Sequence, residues 1–137
     1  MATKLTEQQR LIFTGQICPY CGKPTELADG DDVPFVATSG KVRLCRDCEA
    51  YVGCHRHTST AMGRLATREL RALRQQAHSR FDYIWRHRLK RSRYNAYSWL
   101  SLRLGMPTDM VHIAYFDENQ CRRVIAICEE YIHQKEG

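Results

Sequence analysis

Cys18 and Cys21 are separated by two residues, and so are Cys45 and Cys48. Two residues between thiolates let one tight turn aim both sulfurs at the same ion, and zinc takes four such ligands in a tetrahedron. The pattern predicts a Zn2+ site of Cys18, Cys21, Cys45 and Cys48. The 23 residues between the pairs leave room for a β-hairpin. Zinc enclosed by four cysteines has no open position for water, so the role expected of it is structural. A segment of about 60 residues has a small core, and metal binding supplies folding free energy that such a core lacks.

Cys54, His55 and His57 follow closely. Either Cys54 or His55 could replace one of the four thiolates, and an open Cys/His site with a bound water would suggest metal-dependent hydrolysis. The plainer reading packs these residues beside the zinc site. No carboxylate is spaced nearby to act as a general base, so no catalytic residue is assigned.

A second chemistry lies in the middle of the chain. Residues 62–104 hold eleven basic and two acidic side chains, while residues 1–61 balance at seven each and residues 105–137 carry three basic and six acidic. A charge run is often only a solvated face. Here the run from Arg86 to Arg93 puts five cations in eight residues, and Tyr83, Trp85, Tyr94, Tyr97 and Trp99 interleave with or follow them. Arginine pairs with phosphate oxygens and aromatic faces stack on bases. The residues expected to contact nucleic acid are Arg64, Arg68, Arg71, Arg86, Arg88, Lys90, Arg91 and Arg93, with Tyr94 and Trp99 as possible stacking groups.

These groups need elements to hold them. Thr6 to Gln9 is a capping-box pattern opening a short helix that Gly15 ends. Residues 25–45 read as β, with turn signals at Asp29-Gly30 and Ser39-Gly40 around strands at Val33–Ala37 and Lys41–Cys45. From Thr67 the period becomes helical: Leu70, Leu73, Ala77, Phe81 and Ile84 fall within about 80° of arc at 100° per residue. Arg88 would fall on that apolar arc, so the helix should end near His87. Ser92 caps a second helix that Gly105 and Pro107 stop. Val111–Phe116 reads as a short strand or an extended linker. Asp117 to Gln120 is another capping box, opening a helix to about 134 with Cys121, Val124, Ile125, Cys128 and Ile132 on one face. Cys121 and Cys128 are therefore expected to be core thiols.

The fold class expected is α+β: an N-terminal zinc-ribbon-like hairpin module over 1–61, with a helical basic region of about three helices over 62–137 packed on it as one unit. No run of about 18 uncharged apolar residues is present, which argues against a membrane span. Met1–Arg10 is neither a secretory signal nor an Arg/Ser-rich transit peptide, so a reducing cytosol is the expected setting. Seven cysteines, an odd number, in such a compartment favour metal over disulfides.

The ordered set Cys18-Pro19-Tyr20-Cys21-Gly22, Gly40 to Cys48 and Tyr51-Val52-Gly53-Cys54-His55 resembles a family of small zinc-finger-containing proteins of unknown function from phage and prophage genomes. Gly63-Arg64-Leu65-Ala66, Tyr97-x-Trp99-Leu100, Leu104-Gly105 and Phe116-Asp117-x-x-x-Cys121-Arg122-Arg123-Val124 extend the resemblance over most of residues 17–128. It implies a zinc-bound phage protein, cytoplasmic in the bacterial host. Three functional classes follow. The first is a non-enzymatic nucleic-acid-binding zinc module. The second is a phage factor that binds and inhibits a host defence complex, and the third is a metal-dependent nuclease.

Overall fold

The computed structural model describes residues 3–137, which divide into two compact units. One is Lys4–Glu69; the other is Leu70–Gly137, to which Thr3 also belongs. The architecture is α+β, with a small antiparallel sheet in the first unit and the long helices C-terminal to it.

In the first unit, helix α1 (Glu7–Phe13) opens as its sequence dictates. The Thr6 hydroxyl accepts from the Gln9 N–H, and the Gln9 side chain accepts from the Thr6 N–H. Strands β1 (Glu26–Asp29), β2 (Lys41–Cys45) and β3 (Ala50–Gly53) pair antiparallel in that order, with Glu26 opposite Leu44 and Cys45 opposite Ala50. Side chains alternate across a sheet with period two, and here the alternation separates two tasks. Val42, Leu44 and Tyr51 form one cluster with Val33, flanked by Ala28, Phe35 and Val36. Cys45, Ala50 and the partly buried Val52 form another with Cys18 and Leu65. One register shift would exchange the two faces.

The sequence places a strand at Val33–Ala37, and the structure corrects this. The chain there makes a 3₁₀ turn at Gly30–Asp32 and then an irregular loop. Pro34 has no N–H to give a ladder, and Val33, Phe35 and Val36 cover the sheet from outside its plane. The pairing role falls instead to Glu26–Asp29, where polar ends enclose Leu27 and Ala28. Strand β3 carried no separate sequence assignment, because four residues ending in glycine give too short a period to read.

The Leu70–Gly137 unit is helical. Helix α2 (Arg68–Arg86) buries Leu70, Ala77, Phe81 and Ile84. It ends before Arg88, whose φ of 56° is left-handed. Ser92 caps α3 (Arg93–Leu104), its hydroxyl accepting from the Asn95 N–H, and Gly105 closes it at φ 68°. Asp117 and Gln120 complete the capping box of α4 (Glu118–Glu136), which buries Cys121, Val124 and Cys128. Both cysteines are core groups, and burial pushes the Cys128 thiol up to about 12. Phe81 lies 4.7 Å from Tyr97, ring centre to ring centre, and Arg80 and Arg103 pair with Glu129 and Glu130 of α4. Val111–Phe116 is neither strand nor extended linker. It runs from one 3₁₀ turn, Thr108–Met110, into a second at Ile113–Tyr115. Its apolar residues Val111, Ile113 and Phe116 are buried, and among the described residues this unit offers no strand for it to pair with.

Two glycines test the fold differently. A Cβ on Gly30 would lie 1.8 Å from the Thr38 carbonyl oxygen, inside backbone that cannot yield easily, whereas at Gly105 a Cβ meets open space and only the left-handed φ resists. Gly30→Ala is expected to cost about 3 kcal/mol and Gly105→Ala about 1–2 kcal/mol. Urea unfolding of the two variants measures the order, and an equal loss would show that the Gly30 turn adapts.

Candidate metal centre

The first cysteine turn is built by its backbone. The Gly22 N–H donates to the Cys18 carbonyl at 2.8 Å, the Cys18 N–H donates to the Lys23 carbonyl at 2.8 Å, and Gly22 takes φ 77° to close the loop. The second turn is the β2–β3 connection. Cys45 ends one strand and Cys48 sits in the turn, and Glu49 with φ 51° returns the chain to Ala50. The two turns face each other. One ligand atom from each of Cys18, Cys21, Cys45 and Cys48 lies within 4.8 Å of all the others, and the Cys21 and Cys45 sulfurs are 3.7 Å apart. Sulfurs about 2.3 Å from a tetrahedral zinc stand about 3.8 Å from one another, so the spacing fits a four-thiolate metal site.

Cys18 is fully buried, Cys45 is 7% exposed, Cys48 is half-buried and Cys21 is exposed. Burial raises the Cys18 thiol above its ordinary range, and burial followed by the Cys45 sulfur pushes Cys48 up to about 12. Cys21 moves the other way, chiefly because the Lys23 N–H favours its thiolate. Four sulfurs this close resist joint ionisation unless a cation shares the space, and a divalent metal supplies that cation while displacing the protons. On the outside, Lys23 of the first turn pairs with Asp47 of the second at 2.9 Å, and Arg46 makes a two-point pair with Glu26 at 3.0 and 2.9 Å. These exposed pairs orient the turns more than they stabilise them.

Cys54, His55 and His57 stand apart. Among the described residues the four cysteines are the group of metal-ligating side chains that converges, and neither Cys54 nor the two histidines joins it. Cys54 is half-buried, and that burial raises its thiol.

The cationic residues divide between the units. Arg64 and Arg68 belong to Lys4–Glu69, with Arg64 half-buried and Arg68 exposed; Arg71, Arg86, Arg88, Lys90, Arg91 and Arg93 belong to Leu70–Gly137. Arg71 is half-buried, whereas Arg86, Arg88, Arg91 and Arg93 are exposed. Arg86 lies over Trp85 at 5.1 Å with Asp82 at 3.9 Å, and Arg93 lies over Tyr97 at 5.4 Å. Lys90 differs: it is half-buried between Trp99 at 5.3 Å and Tyr131 at 4.8 Å. Trp99 also packs on Tyr131 at 4.7 Å, which occupies much of its stacking surface, while Tyr94 is 79% exposed. No sequence signal separates Lys90 from its arginine neighbours, because Tyr131 lies 41 residues away.

An α+β chain whose hairpin turn and preceding loop converge four cysteines is a zinc-ribbon-like protein. A family model described as a zinc-finger-containing domain, DUF3268, matches residues 14–131. The chain belongs to that family. No curated protein and no solved structure matches it. No helix among the described residues is long and apolar enough to cross a membrane.

The metal centre predicts a contrast. Cys45→Ser is expected to lose stoichiometric metal by elemental analysis and to melt at markedly lower temperature, while Cys54→Ser and His55→Ala keep one metal per chain. Metal retained by Cys45→Ser, or lost by Cys54→Ser, would redraw the ligand set.

Proposed function

We propose that this zinc-finger protein binds nucleic acid without catalysing a reaction, through the exposed arginines at the α2–α3 connection. The zinc, held by Cys18, Cys21, Cys45 and Cys48, has a structural role in this reading, and the setting is the bacterial cytoplasm of a phage or prophage host. The observation that carries it is the placement of Arg86, Arg88, Arg91 and Arg93, all exposed within one eight-residue connection. Arg86 and Arg93 keep this exposure while resting on Trp85 and Tyr97, with Asp82 3.9 Å from Arg86, whereas Lys90 is half-buried between two rings and Arg74 donates to the Ala114 carbonyl. Arg71 of the same unit, and Arg64 and Arg68 of the Lys4–Glu69 unit, remain in the proposed set of phosphate contacts, each unit considered by itself. Guanidinium groups pair with phosphate without reading sequence, so affinity would be strong at low salt and sequence-tolerant.

A second reading rests on a different pair of side chains. Tyr94 and Leu102 on α3 are 79% and 83% exposed. Tyrosine is enriched at protein-binding hot spots, and Leu102 adds exposed apolar surface to the same helix. A phage protein that inhibits a host defence complex could use them.

The test changes Arg86, Arg88, Arg91 and Arg93 to Glu and titrates duplex and single-stranded DNA and RNA across salt. Wild-type affinity is expected to fall steeply with salt, and the variant's dependence to be shallower by about 3–4 in the log–log slope, at about 0.9 per phosphate contact. Unchanged binding, or none by the wild type at any salt, defeats the proposal. Loss of biological effect in Tyr94→Ala/Leu102→Asp, with no nucleic-acid binding by the wild type, favours the protein-partner reading. Metal-dependent cleavage that needs His55 or His57 favours a nuclease.

A further inference from the structure

Outside the cysteine cluster, the Lys4–Glu69 unit holds a cleft of about 670 Å³. One wall is the start of β2 at Gly40 and Lys41; the other is the loop that leaves β3 through Cys54, His55, Arg56 and His57, with Met62 alongside. The loop is fixed by its own bonds. Cys54 bridges to Ala61, the His55 N–H donates to the Thr60 carbonyl at 2.8 Å, and the Thr58 N–H and hydroxyl both donate to the His55 carbonyl at 3.0 and 2.8 Å. His57, a residue with a Cβ, is held at φ 63°.

The lining has one sign of charge. Lys41 and Arg56 are exposed cations, His55 and His57 add imidazoles, and no carboxylate lines the cleft. Asp29 lies opposite Lys41 in the sheet but outside the lining; it accepts from the Asp31 N–H at 3.1 Å, and Asp31 accepts from the Ser39 hydroxyl at 3.0 Å. Among the described residues no carboxylate stands within 4.0 Å of the Lys41 or Arg56 nitrogens, whereas Arg10, Lys23 and Arg46 of the same unit each hold one. Met62 gives the cleft an apolar surface, being 53% exposed although large and hydrophobic. The volume falls within the range of about 300–1,000 Å³ usual for small-molecule sites and far exceeds a bare oxyanion.

We propose that this cleft binds a phosphate monoester carrying an organic group of nucleotide size, with Lys41 and Arg56 on the phosphate and Met62 and the two imidazoles against the organic part. The site is separate from Arg86–Arg93 and does not rest on the reading given for them. The same chemistry has two sources, a free nucleotide or the phosphorylated 5′ end of a strand.

The experiment is calorimetric titration of the zinc-bound full chain with adenosine 5′-monophosphate, adenosine and inorganic phosphate, and with one short oligonucleotide bearing either a 5′-phosphate or a 5′-hydroxyl. The monophosphate is expected to bind one per chain and adenosine at least tenfold more weakly. Lys41→Gln/Arg56→Gln should weaken the monophosphate at least tenfold with zinc content and melting temperature unchanged. If that pair loses zinc, Arg56→Gln alone, in an exposed loop, replaces it. Met62→Ala should weaken the monophosphate several-fold and leave inorganic phosphate unchanged. A preference for the 5′-phosphorylated strand that disappears in the cleft variant supports the strand-end source, and monophosphate binding without that preference supports the free nucleotide. Reversal of Arg86, Arg88, Arg91 and Arg93 should leave monophosphate binding intact, so the two sites can fail separately. Absence of saturable binding by both phosphorylated probes, or binding that the cleft variants leave unchanged, overturns the proposal.

Discussion

Four sulfurs brought within 4.8 Å of one another are the constraint on which the Lys4–Glu69 unit depends. Uncharged, they would be a small greasy cluster; ionised without a cation, they would repel. The cluster joins a loop near residue 20 to a hairpin turn more than twenty residues later, and the sheet gives it a base. Cys45, Ala50 and Val52 alternate onto the face that meets Cys18 and Leu65, while Val42, Leu44 and Tyr51 serve the opposite face. The core on each side is a handful of residues. A metal that binds only when both turns are formed would therefore couple the sheet register to the ligand set, since a slip by one residue would turn Cys45 away from Cys18.

What was legible in the sequence was whatever depends on near neighbours in the chain. The capping boxes at Thr6 and Asp117, the Ser92 cap and the stop at Gly105 are contacts among residues within a few positions, and each appears as read. The end of α2 was legible for a related reason: continuing the helix would have put Arg88 on its apolar stripe, and the chain turns left-handed there instead. The paired cysteines were legible because metal geometry compresses a distant contact into two local spacings. The Val33–Ala37 segment misled because its apolar residues suit a strand equally well when they cover a sheet as a loop. Only Pro34 signalled the difference. Val111–Phe116 misled likewise: burying Val111, Ile113 and Phe116 needs no ladder, and two 3₁₀ turns achieve it.

The cations show where local reading stops. Summed along the chain, eleven basic residues between 62 and 104 look interchangeable. Folded, they are not. Arg80 and Arg103 meet glutamates roughly one element away in space and far away in sequence, and Lys90 lies between the rings of Trp99 and Tyr131. Each such contact withdraws a donor from solvent. A pair with an exposed glutamate is weak and exchangeable, but a lysine between two rings has lost part of its hydration and does not simply turn outward.

The same distinction bears on how charge is used in the first unit. Lys23 and Arg46 beside the cysteines hold carboxylates, as befits residues that help orient the two turns. Among the described residues Lys41 and Arg56 hold none, although Asp29 lies opposite Lys41 in the sheet. Two cations and no carboxylate on its lining bias one cleft toward positive charge in a unit whose formal charges otherwise nearly cancel. Such a bias attracts anions over about a Debye length, roughly 8–10 Å at moderate salt. The bonds that His55 makes with Thr58 and Thr60 hold the loop on one side of that cleft. The four sulfurs, with the metal they would hold, fix the shape of the unit, and the cations on the cleft are the charge open to the recognition proposed above.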